Sequence, residues 1–104
     1  MKIQINTDNK IESHEAMINH YENLLSEALT RFKDQITRLE VHLSDENGHK
    51  EGLDDKCCIL EARVENLKPI AVSHHASTLH DAVSGSIIKL KKSMESIHGK
   101  LKKY

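Results

Sequence analysis

Residues 79–101 read LHDAVSGSIIKLKKSMESIHGKL, and within them Leu79, Val83, Ile87, Leu90, Met94, Ile97 and Leu101 recur at steps of 4, 4, 3, 4, 3 and 4. Steps that alternate between three and four keep side chains on one face of a 3.6-residue helix. The segment is therefore an amphipathic helix running almost to the C-terminus, with one stripe to bury and the rest facing water. Ser77 or Thr78 can cap its start, and Asp81 sits in the first turn against the positive end of the helix dipole. Gly85 lies inside the helix, where glycine costs about 1 kcal/mol relative to alanine. A residue without a side chain at that place points to close approach of the helix to a sheet. Gly99 marks fraying near the end.

Upstream of this helix the period changes from 3.6 to 2. In 36–43, Leu39, Val41 and Leu43 alternate with Arg38, Glu40 and His42; in 56–64, Cys58, Leu60, Ala62 and Val64 share one face. Both read as half-buried strands. Residues 44–55 form a long polar connection containing Gly48 and Gly52, and 65–68 form a turn. Pro69 opens a third strand reaching about His75, with Ile70 and Val72 inward; a proline at a strand start sacrifices no ladder hydrogen bond. Further upstream, Met17, Tyr21, Leu24, Ala28 and Phe32 recur at steps of 4, 3, 4 and 4. This predicts a first amphipathic helix of about five turns. Ser13 would cap it, Glu15 suits its first turn, and Arg31 and Lys33 suit its negative end. Ile3 and Ile5 alternate with polar neighbours and add a short strand ahead of a polar turn at 7–10.

The element order is β-α-β-β-β-α. A strand–helix–strand start favours a parallel pair joined by a right-handed crossover, and three strands linked in succession form an antiparallel meander. The expected fold class is α+β: a two-layer sandwich with a four-stranded mixed sheet and two helices on one face. The 104 residues suit one domain spanning 1–104. Hydrophobic residues make up 38% of the chain, enough to argue against wholesale disorder. The longest apolar run is far below the roughly 18 residues of a membrane span. The N-terminus turns polar too soon for a secretion signal. Cys57 and Cys58, the only cysteines, cannot build a disulfide framework, and a cytoplasmic location is expected.

The net charge of −1 conceals an asymmetry: residues 1–54 carry 6 Lys/Arg and 11 Asp/Glu, while 55–104 carry 9 and 5. Residues 86–104 hold six lysines against Glu95 alone. On the last helix Lys89, Lys92, Lys100 and Lys103 fall along one stripe with Ser96 between them. Lys91 and Lys102 fall on a neighbouring stripe with His98. Ammonium groups spaced along an exposed helix suit a phosphate backbone, because each contact releases counterions. The same residues would also make an ordinary solvated face. Tyr21, Phe32 and Tyr104 are the only aromatics besides histidine, and two of them are on the core stripe, which argues against single-strand readout by base stacking.

Other chemistries find little support. There are eight histidines, including His74, His75 and His80. Neighbours on a strand point to opposite faces, so neither Cys57–Cys58 nor His74–His75 offers two ligands to one ion. No zinc-type spacing is present, and no metal or other cofactor is expected. Cys58 reads as a small core residue and Cys57 as partly exposed. In 45–56 an EF-hand-like loop would need glycine where Lys50 stands and glutamate where Lys56 stands. No Gly-rich phosphate cradle or nucleophile elbow is present, so no enzyme is expected.

The order and spacing of these features are specific in combination. Asp81-Ala82-Val83-x-Gly85-x-x-x-Lys89-Leu90 opens the last helix, and Lys100-Leu101-Lys102 closes it, with nine residues between the two Lys-Leu pairs. Residues 41–48 (VHLSDENG), Asp54-Asp55-Lys56 and Cys58 add to the pattern. Over essentially its whole length the chain resembles the ribosome hibernation-promoting factor and ribosome-associated inhibitor family, also called sigma-54 modulation proteins, in its short form. The resemblance implies a domain similar in layout to double-stranded RNA-binding domains. It also implies docking on the small ribosomal subunit and its rRNA, in the cleft that otherwise holds tRNA and mRNA, and repression of translation under stress. Lys89, Lys92, Lys100 and Lys102 match basic positions of the family's last helix. With Lys91 and Lys103 they are the expected rRNA contacts. The chain departs from the family pattern at Ser96, Ile97 and His98, and in a first helix that is acidic at Glu12, Glu15, Glu22 and Glu27. The C-terminal dimerisation module of long members is not found after residue 104, so ribosome dimerisation by that route is not expected. Two other readings stand beside this one: a protein-interaction module that kept the fold without the ribosome, and a generic double-stranded RNA binder.

Overall fold

The computed structural model describes residues 1–8, 11, 14–46 and 55–102, from residue 98 onward by backbone alone. Its elements are β1 (Lys2–Thr7), α1 (Glu15–Ala28), β2 (Ile36–Asp45), β3 (Lys56–Val64), β4 (Ile70–Ala76) and α2 (Leu79–Lys102), with a single 3-10 turn at Thr30–Phe32. The sheet order is β1-β2-β3-β4. β1 runs parallel to β2, pairing Ile3 with Leu39 and Ile5 with Val41, and the other two pairings are antiparallel. This is the α+β sandwich that the periodicities predict.

Both helices cover the same face of the sheet. Tyr21 and Leu25 of α1, Leu29 and Phe32 after it, and Val83, Ile87, Leu90 and Met94 of α2 form one core. They pack with Leu39, Val41, Leu43, Cys58, Leu60, Ala62 and Val64 of the sheet. Ile36 joins them although it lies three residues from Leu39. A bulge between Ile36 and Arg38 inserts the extra residue that returns Ile36 to the inner face.

The differences from the sequence reading concern element ends. α1 stops at Ala28 rather than running to Phe32. The Thr30 hydroxyl donates back to the Ser26 carbonyl at 2.7 Å, and Phe32 N–H donates to the Leu29 carbonyl at 2.9 Å. This tighter winding keeps Phe32 on the buried stripe. Arg31 and Lys33 therefore lie past the helical end, and no basic residue occupies the last turn of α1. The residue before α1 is His14, with no side-chain cap; Ser13, the expected cap, lies outside the described residues. β2 continues two residues past Leu43, because Ser44 pairs with Cys57 and Asp45 with Lys56. Thr78 is the cap of α2: its hydroxyl accepts the Asp81 N–H at 3.1 Å.

Gly85 sits where expected, against the sheet. A Cβ there would meet the imidazole of His74 on β4 at 2.1 Å, so helix and edge strand touch through the missing side chain.

Candidate nucleic-acid interface

Each residue of an α-helix advances about 100° around the axis, so the lysines of α2 divide between two flanks. Gly85 and Lys89 share the flank toward β4: Gly85 packs on His74, and the Lys89 ammonium donates to the Ser73 carbonyl at 2.6 Å. Lys92 lies one turn on, exposed. Lys91 is half-buried on the opposite flank. That flank faces α1 and the turn after it, as the Arg31–Glu95 ion pair (3.2 Å) and the His20–His80 ring contact (6.4 Å between centroids) show. The helical backbone continues through Lys100 and Lys102, and Lys103 lies outside the described residues. Among the lysines whose side chains are described, Lys89 and Lys92 share one row and Lys91 lies on the other, which follows the two stripes expected from the sequence.

Charge pairing separates these lysines from Arg31, Arg38 and Lys56, while Lys2, Lys33, Arg63 and Lys68 likewise meet no carboxylate among the described residues. Arg31 meets Glu95, Arg38 meets Glu40 at 3.1 Å, and Lys56 meets Asp45 at 3.1 Å and Asp55 at 3.4 Å. The hydrogen bond that Lys56 donates to Asp45 raises the Lys56 pKa, against a smaller opposing effect of burial, and the Asp55 carboxylate raises it further. Among the described residues, no carboxylate pairs with Lys89, Lys91 or Lys92. An ammonium carries three donors, so the bond to Ser73 leaves Lys89 two N–H groups for a second acceptor. Ile88, 56% exposed, adds apolar surface one turn before Lys92. Across the helical layer, α1 exposes Glu15 and Glu27 with Glu22 half-buried and carries no lysine or arginine, which leaves the lysines of α2 as the basic side of the two helices; Glu12 lies outside the described residues.

The uncovered face of the sheet holds what sequence neighbours could not reveal. Cross-strand pairing gathers Glu46, Cys57 and His75 into one cluster and Glu40, His42 and Glu61 into another, the ligand atoms of each lying within 4.8 Å of one another. The signal was present in the hairpin register: counting back from the 65–69 turn sets Cys57 opposite His75. Cys57 is buried at 3% exposure, against the expectation of partial exposure, because the neighbours on the open face cover it. Burial pushes its thiol pKa up, assisted by the Glu46 carboxylate, while a hydrogen bond from Ser44 opposes the rise. Cys58, on the core side, is raised to about 11, chiefly by burial. An open cleft of about 500 Å³ lies near Asn6, Thr7, His42, Ile59 and Glu61. No helix among the described residues is long and apolar enough to cross a membrane.

Comparison with known proteins places this arrangement. Two solved structures superpose on the chain with a TM-score of 0.73. The N-terminal domain of Thermus thermophilus Protein Y, 15% identical, aligns over 93% of this chain and 99% of its own. A ribosomal subunit interface protein from Coxiella burnetii, 14% identical, aligns over 95% and 99%. At such identities the likeness is one of fold. No curated protein sequence matches the chain. A family model described as sigma 54 modulation protein / S30EA ribosomal protein matches residues 3–102, almost the entire sequence. The chain therefore belongs to the sigma 54 modulation protein / S30EA ribosomal protein family.

Proposed function

We propose that this protein is a non-enzymatic, cytoplasmic ribosome-associated factor that represses translation. In this reading a single domain spanning 1–104 docks on the small subunit through α2 and occupies the cleft used by tRNA and mRNA. Family membership across residues 3–102 carries the ribosomal part of the reading. The contact itself is assigned from charge: on α2, Lys89, Lys91 and Lys92 are described cations that no carboxylate pairs with, the helical backbone carries Lys100 and Lys102, and Lys103 lies beyond the described residues. Lys89 and Lys92 form the leading row, since both are exposed whereas Lys91 is half-buried. The acidic surface of α1 would face away from the rRNA or toward a basic ribosomal protein.

Sucrose-gradient fractionation of the purified protein with ribosomes tests this. Comigration with the small subunit is expected, and its loss in the double variant Lys89→Glu, Lys92→Glu, which leaves the core stripe intact. Migration at the top of the gradient, together with a single stable protein partner recovered from lysate, would support the protein-interaction reading instead. Equal affinity for an arbitrary RNA duplex and for intact subunits would support the generic RNA binder.

A further inference from the structure

We propose that Glu46, Cys57 and His75 form a binding site for a divalent transition-metal ion, Zn²⁺ foremost, on the face of the sheet opposite the helices. They lie at one end of the sheet, on β3, on β4 and at the residue that follows β2. Cys57 and His75 are direct partners across β3 and β4. Glu46 follows the last residue of β2, and its N–H donates to the Asp55 carbonyl at 2.9 Å, which holds the base of the 46–55 connection closed. The imidazole Nε2 of His75 lies 3.1 Å from Oε1 of Glu46, and the ligand atoms of all three residues fall within 4.8 Å of one another.

Tetrahedral zinc with nitrogen and oxygen bonds of about 2.0–2.1 Å sets those two ligands about 3.3 Å apart, and a sulfur at about 2.3 Å lies about 3.5 Å from either. The cluster therefore needs only a small adjustment to enclose an ion. Thiolate, imidazole and carboxylate together are the donor set that borderline-soft zinc selects over calcium or magnesium. Cys57 forms the floor at 3% exposure, while the exposed His75 and Glu46 leave the fourth position open to water. On binding, the Cys57 thiol releases its proton to solvent, the metal–sulfur bond forms, and the ion sheds the waters that the three side chains replace.

The neighbouring Glu40–His42–Glu61 group is the weaker host. It has no sulfur, and the Arg38 guanidinium 3.1 Å from Glu40 already supplies positive charge. At the favoured site, among the described residues, no lysine or arginine pairs with Glu46 or His75. A bound ion would clamp the ends of β2, β3 and β4 together at the mouth of the 46–55 connection.

Titration of the full chain with Co²⁺, under reducing conditions, reads the ligands directly. One equivalent should produce a thiolate-to-cobalt charge-transfer band in the near ultraviolet with the intense visible bands of tetrahedral cobalt, and Zn²⁺ should displace both. Cys57→Ser should abolish the charge-transfer band, His75→Gln and Glu46→Gln should weaken binding tenfold or more, and His42→Gln should change nothing. His75 and Glu46 are exposed, so their variants answer the question even where Cys57→Ser disturbs folding. A pale six-coordinate spectrum without the sulfur band, a band that survives Cys57→Ser, or a band lost in His42→Gln would each overturn the assignment.

Discussion

Gly85 offers a test of how α2 is seated on the sheet. An added methyl would lie 2.1 Å from Cδ2 and 2.5 Å from Cγ and Nε2 of His74, where ordinary contact begins at 3.4 Å, so the imidazole must leave its place. Against that stands the helix propensity of alanine, worth about 1 kcal/mol over glycine. Displacing a half-buried ring costs about 1–2 kcal/mol, by the scale of core packing changes. In the otherwise native protein the two effects leave Gly85→Ala neutral or destabilising by up to about 1 kcal/mol. In a His74→Ala background the clash is gone and Gly85→Ala should stabilise by about 1 kcal/mol. The coupling energy of the double-mutant cycle should thus be about 1–2 kcal/mol. Urea unfolding followed by far-ultraviolet circular dichroism measures all four proteins, with the midpoint read at constant m-value. The functional consequence is local. Ser73 adjoins His74 and Lys89 is one turn from Gly85, so the same contact holds the Lys89 ammonium at the edge of β4. If Gly85→Ala stabilises both backgrounds equally, the close approach described above is wrong.

Two further outcomes concern stability. Thr78→Ala removes the hydroxyl that accepts the Asp81 N–H at 3.1 Å and should cost about 1 kcal/mol, measurable as a fall of about 4–8 °C in Tm. The Cys58 thiol is held up to about 11 from an ordinary value of 9.0. Above pH 9 the unfolded chain loses this proton while the folded chain keeps it. The unfolded state then binds fewer protons, and stability falls with rising pH until the folded group also ionises near 11. The loss from this group amounts to at most about 3 kcal/mol. Denaturation of the native protein and Cys58→Ala across this range should show a shallower alkaline decline in the variant, and parallel curves would refute the attribution.

The fold was legible in the sequence because its two periods are clean. The run from Leu79 to Leu101 never breaks its steps of three and four, and Leu39-Val41-Leu43 and Cys58-Leu60-Ala62-Val64 alternate without exception. What escaped were features set by long-range geometry. The stripe through Phe32 continues across the change from α to 3-10 winding, so periodicity alone overextends α1. Ile36 breaks the alternation, and only its pairing with β3 shows that a bulge restores it. The lysines were legible as two stripes of the last helix, but what each stripe lies beside depends on what α2 packs against: β4 on one side, α1 and Arg31 on the other. The Glu46–Cys57–His75 cluster was legible only through the hairpin register that sets Cys57 opposite His75. Its members are far apart in the chain, and strand neighbours such as His74 and His75 draw attention to pairs that geometry separates.

The most direct test of the ribosomal account is the salt dependence of binding to purified small subunits. If about four lysines of α2 engage rRNA phosphates, log K should fall with log salt at a slope of roughly −3 to −4, and Lys89→Glu, Lys92→Glu should remove about half of that slope along with most of the affinity. Binding that stays constant across the salt series, or that survives both charge reversals in a folded protein, would contradict electrostatic docking through α2.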